Sequence, residues 1–124
     1  MKPDITTRTD VELLVNKFYE KVNENKTLSP IFNEVAKVDW PHHLPEMYSF
    51  WSSLLLGEQS YTGNPMVKHI DLSRQTDMNE VQFSTWLLLF NETVNELFAG
   101  DKAEEAKSRA ANIARLMQHK IHTS

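Results

Sequence analysis

Tyr61-Thr62-Gly63-Asn64-Pro65-Met66-Val67-Lys68-His69-Ile70-Asp71-Leu72 lies mid-chain between two long apolar-periodic segments, and its reading decides the fold. Gly63-Asn64-Pro65 is turn chemistry. Glycine admits positive φ, and proline fixes φ near a value that starts a helix. A short helix opening at Pro65 or Met66 puts Met66 and Ile70 on one face, with His69 beside them. The plain reading of His69 is an interior imidazole bonded to backbone. The sharper reading is a metal ligand aimed into an apolar slot, and the rest of the chain must supply that slot.

The 124 residues suffice for one domain with a substantial core, and residues 1–124 are read as one, with 1–8 a frayed polar start. A net charge of -4 without a basic run argues against nucleic acid and against an anionic membrane surface. With zero cysteines there is no disulfide framework and no thiolate chemistry, which suits a reducing cytoplasm. Met1-Lys2-Pro3-Asp4-Ile5 carries no signal-peptide apolar region, and no apolar run reaches membrane-spanning length. A cytoplasmic location is the expectation.

Working outward, Thr9 or Asp10 caps a first helix. It carries Val11, Leu14, Val15, Phe18, Tyr19 and Val22 at helical spacing and runs to about Asn25. Residues 28–35 form a short second helix with Pro30 in its first turn. A third begins near Asp39, where Pro45 should loosen the first turns. Leu44, Met47, Trp51 and Leu55 form one stripe of that helix; His43, Met47, Phe50 and Leu54 form another. The combined face is wider than one packing partner requires. Gly57 caps its end. A fourth helix opens at Asp77 or Asn79 and carries Phe83, Trp86, Leu87, Phe90, Val94 and Leu97. Leu87-Leu88-Leu89-Phe90 makes it apolar nearly all round, the expected most buried element. Gly100 closes it and Asp101 caps a fifth helix, striped by Ala106, Ala110, Ile113, Met117 and Ile121. No segment alternates with period two, so the class is all-α. The long middle connection with its histidine turn speaks against a plain up-down bundle.

Several helices carry a polar or aromatic group on an otherwise apolar face. Singly, Tyr19 reads as a boundary tyrosine, His43 as a solvated neighbour of His42, and Trp86 as core. Together with His69, in this order, they resemble a family. Phe18-Tyr19 precedes Leu28-Ser29-Pro30-Ile31-Phe32; Trp40 precedes His43 by three; Phe50-Trp51 leads to Leu55-Leu56-Gly57-Glu58; the opening segment follows, then Trp86-Leu87-Leu88-Leu89-Phe90. Over roughly Asp10 to Met117 this resembles a truncated haemoglobin of the group III branch. The segment from Phe50 to Leu72 is the most specific part, and the paired-glycine motifs of other truncated globins do not appear.

The resemblance implies a globin-like 2-on-2 α-helical sandwich around haem b (iron protoporphyrin IX). The helices carrying Tyr19 and Trp51 should pair, as should those carrying Trp86 and Ile113. It implies His69 as the proximal iron ligand and Tyr19, His43 and Trp86 as polar distal residues. Phe32, Met47, Phe50, Trp51, Met66, Leu72 and Phe83 are implied as haem contacts. Pro45 departs from the family's pattern and bears on where His43 points. The residue chemistry agrees: neutral imidazole is a good axial ligand, and a porphyrin is a flat apolar plate. Tyr O–H and Trp N–H can stabilise the partial charge on bound dioxygen. Lys68, Arg74 and Tyr61 are candidates for the propionates.

The implied function is binding of dioxygen, nitric oxide or carbon monoxide. Three donors favour slow release or redox chemistry on the ligand (nitric oxide detoxification or a peroxidase-like reaction), the latter with a reductase partner. Oxygen transport is the simpler use of such a site. The alternative from another class is a cofactor-free helical interaction module, separable by a Soret band. A non-haem metal enzyme is weaker, because no HxxxH or ExxH spacing occurs.

Overall fold

The computed structural model describes residues 2–30, 40–57 and 80–123. The expected short helix over 28–35 is covered only at its start, where Ser29 and Pro30 are helical. The histidine turn, the propionate candidates, and Phe32, Met66, His69 and Leu72 lie outside the described residues, as do the side chains of Met117 and Ile121.

Helix α1 spans Arg8–Glu24 and buries the six apolar residues its spacing predicts, Val11 to Val22. Its cap is Thr7 rather than Thr9 or Asp10. The Thr7 hydroxyl accepts the Asp10 N–H at 3.3 Å, while the Asp10 carboxylate accepts the N–H of Thr7 at 3.1 Å and of Thr6 at 2.9 Å. Asp10 therefore sits at the third helical position and completes a capping box with Thr7. The Thr6 N–H, against the opposing effect of burial, holds its carboxyl below the ordinary range.

Helix α2 spans Trp40–Leu56 and buries Met47, Trp51, Ser52 and Leu55. Pro45 lies inside it without ending it. Its missing N–H forfeits one ladder bond, the one to the Pro41 carbonyl, close to the helix start. Gly57 follows at φ 75°, as a C-terminal glycine should.

Helix α3 spans Glu80–Leu97 and helix α4 spans Asp101–Thr123. Among the described elements, α1 pairs with α2 and α3 with α4, and α1 also crosses α3. Both expected pairings are present. Lys21 of α1 reaches Glu92 at 3.2 Å and Glu96 at 2.6 Å on α3. Ala103, Ala106, Ala110 and Ala114 are buried along α4, and their small side chains admit α3 closely.

Other expectations fail as well. Helix α3 is not buried all round: Leu88 is 67% and Val81 60% exposed. α1 and α4 cover two of its sides, and the face carrying these residues turns to solvent. The chain start is not frayed either. Ile5 is fully buried, the Pro3 carbonyl accepts the Ala99 N–H at 2.9 Å, and the Asp4 carboxylate accepts the N–H of Lys102 at 2.9 Å and of Ala103 at 2.8 Å. Asp4 is thus the side-chain cap of α4. The Gly100 carbonyl takes the Glu104 N–H at 3.0 Å, and Asp101, the expected cap, is already inside the helix. No helix among the described residues is long and apolar enough to cross a membrane.

Candidate distal site on helices 1, 2 and 3

Tyr19 lies on the buried stripe of α1, one residue after Phe18, and is 6% exposed. His43 lies in the first turn of α2. The two meet: Tyr19 Oη is 3.4 Å from His43 Nε2, with ring centroids 5.4 Å apart and nearly perpendicular at 82°. Which atom donates depends on the imidazole tautomer. The helix continues through Pro45. Burial pushes the Tyr19 phenol well above its ordinary range, so it stays a neutral O–H capable of donating.

Trp86, from α3, joins this pair through Phe18. Its ring meets Phe18 edge-on at 5.6 Å, and Phe18 lies 4.9 Å from Tyr19. Trp86 also stacks on Phe90 at 5.8 Å and 11°. Trp51 stacks on Phe90 as well, at 4.7 Å and 21°, and is 3% exposed. Met47 and Phe83 are buried, and Phe50 is half-buried with its ring 5.4 Å from Trp51. The described part of the sequence-predicted set thus falls into one largely aromatic body, to which Tyr19, His43 and Trp86 bring the polar groups.

Two residues outside the predicted set frame it. Trp40 packs against Tyr19 at 5.2 Å and against His43 at 5.6 Å. Phe90 carries both tryptophan stacks. Trp40 was legible from spacing, since i and i+3 share a helix face with His43. Phe90 was legible only as core.

The donor chemistry suits haem. On α2, His43, Leu44, Phe50 and Leu54 are half-buried beside the fully buried Met47, Trp51 and Leu55. Packing on α1 therefore leaves that apolar flank partly uncovered, as a flat apolar plate needs. Among the described residues, neutral hydrogen-bonding groups (Tyr19, His43 and Trp86) gather there, which fits a dipolar ligand on iron. A family model for bacterial-like globins matches residues 4–122. The chain belongs to that family. This globin is 33% identical over 125 residues to a group 3 truncated haemoglobin of Campylobacter jejuni, covering 98% of this chain and 96% of that one. The crystal structure of a group III truncated haemoglobin from the same organism superposes with a TM-score of 0.85, again at 33% identity, covering 98% of this chain and 95% of that one. The fold is accordingly the all-α truncated-globin fold, and the protein is a haem-binding globin of the group III branch.

Proposed function

We propose that this globin binds haem b through His69 and holds dioxygen, nitric oxide or carbon monoxide against Tyr19, Trp86 and His43. The observation carrying the reading is the Tyr19 hydroxyl: buried, neutral and 3.4 Å from His43 Nε2, the second polar group of the same site. Haem would supply an iron able to bind a diatomic ligand, with His69 as the residue that would hold it. Tyr19 would donate its O–H to that ligand, and Trp86 its indole N–H. His43 Nε2 would orient the Tyr19 hydroxyl or take its place. Phe18, Phe83 and Met47 exclude water, which strengthens each of these bonds. Phe32, Phe50, Trp51, Met66 and Leu72 complete the proposed haem contacts.

Several donors on one small ligand favour slow release and polarisation over rapid exchange. We therefore read the site as supporting redox chemistry rather than transport. One form is nitric oxide dioxygenation, in which nitric oxide, dioxygen and one electron give nitrate. Another is peroxide reduction, in which hydrogen peroxide, two electrons and two protons give two waters. Both need a reductase, and the cytoplasm is the setting we propose for it. The test is nitric oxide consumption by haem-loaded protein, with reductant present, with and without dioxygen. Nitrate formed in step with dioxygen use supports the reading. Consumption no faster than the uncatalysed reaction, together with fast dioxygen release, returns the protein to simple ligand binding.

A further inference from the structure

We propose that Trp40 is a positioning residue: its indole braces Tyr19 and His43 against each other and so sets where both polar atoms point. The proposal rests on the reading of Tyr19 and His43 as distal groups. The Tyr19–His43 contact is at the outer limit of hydrogen bonding at 3.4 Å and cannot by itself fix an imidazole that turns about two side-chain bonds. The backbone beneath His43 is also less tied than in an ordinary helix. Pro45 has no N–H to give the Pro41 carbonyl. Ring packing acts on both groups at once. Trp40, the first residue of α2, lies one turn before His43 on the same face. Its ring stands edge-on to the imidazole at 5.6 Å and 84°, and tilted on the phenol at 5.2 Å and 58°. These three rings, from two helices, close a triangle in which moving one displaces the other two. Next door, His42 is mostly exposed and reaches Glu46 at 3.2 Å, which anchors the outer side of the same turn. Trp40 packs on the inner side.

The experiment compares Trp40→Leu and Trp40→Phe with the parent as haem-loaded carbon monoxide complexes. It reads magnetic cross-relaxation between the Tyr19 and His43 rings and the C–O stretching band of the ligand. Trp40→Leu is expected to lower the cross-relaxation several-fold and to split the single C–O band into two. Trp40→Phe, which keeps an aromatic edge, is expected to restore most of both. Parent-like cross-relaxation in Trp40→Leu overturns the brace. If Trp40→Leu does not fold, Trp40→Phe decides, weakened cross-relaxation supporting the brace and parent-like values overturning it. Lost cross-relaxation with an unmoved C–O band keeps the brace and removes the distal reading it rests on. A band that Tyr19→Phe moves but Trp40→Leu does not, with cross-relaxation intact, does the reverse.

Discussion

Asp4 and Gly100 meet at the start of α4 so closely that a side chain on the glycine has no room. A Cβ built there would stand 2.5 Å from Asp4 Cγ, and the glycine itself is at φ 138°. The chain start is thereby locked onto the turn between α3 and α4, with the Asp4 carboxylate satisfying two N–H groups of the α4 first turn.

Gly100→Ala should therefore lose stability twice over, through the left-handed backbone and through the clash. We expect about 1–3 kcal/mol, read by urea denaturation. Gly57 is the control: it too has positive φ, but nothing lies within 4 Å of its Cβ position, so Gly57→Ala should cost only about 1 kcal/mol. In Asp4→Ala/Gly100→Ala the contacts with the Asp4 carboxylate disappear while the one with its Cβ, at 2.8 Å, stays, so the combined loss should fall only modestly short of the sum.

Asp4→Ala removes a helix cap and should cost about 1–2 kcal/mol at neutral pH. Burial acts to raise the Asp4 carboxyl. The N–H groups of Lys102, Ile5 and Ala103, with the Lys102 charge, outweigh it and hold the carboxyl below its ordinary range. A depressed carboxyl contributes its full stabilisation above the unfolded-state value and loses it as pH falls through the folded one. The difference in stability between parent and variant should therefore be constant near neutrality and shrink in acid. A difference that grows on acidification contradicts the assignment.

Tyr19 has the opposite sign. Its phenol is raised by burial, so its contribution is whole below the ordinary phenol range and is lost as pH climbs beyond it, because only the unfolded chain ionises easily. Ultraviolet titration of parent minus Tyr19→Phe should stay flat through the ordinary phenol range until the protein unfolds. A phenolate signal within that range would mean an exposed hydroxyl.

Tyr19→Phe and Trp86→Phe keep most of the ring volume and remove one donor each. A hydrogen bond to a partly charged oxygen is worth about 1.5–3 kcal/mol, so dioxygen release should accelerate about tenfold to a hundredfold in at least one variant. Carbon monoxide, which carries less charge, should respond less. Parent rates in both variants and in the double variant would make these side chains packing groups.

His69→Ala should lose most haem affinity, read from the Soret band after hemin titration and gel filtration. Retention with an unchanged spectrum would move the proximal role to another histidine. Among the described ones, His43 is engaged with Tyr19 and His42 with Glu46.

The linear order of residues was enough for much of this. Val11, Leu14, Val15, Phe18, Tyr19 and Val22 recur with the helical period, which reports which side of a helix meets the core whatever it meets. The turn glycine at 57 and the polar groups on apolar faces are likewise local patterns. The order of aromatic and histidine residues carried the family resemblance as well. Tertiary structure alone decided the rest, because those features join residues with no fixed sequence spacing. Asp4 supplants Asp101 as the cap of α4 since a carboxylate 98 positions away in the chain arrives there through Ile5 and Pro3. Leu88 faces solvent because a helix has sides and the partners of α3 among the described residues leave this one bare, whereas a run of leucines reads as uniformly apolar. The meeting of Tyr19 with His43 and Trp40 depends on the angle at which α1 crosses α2. That angle follows from the packing of whole faces.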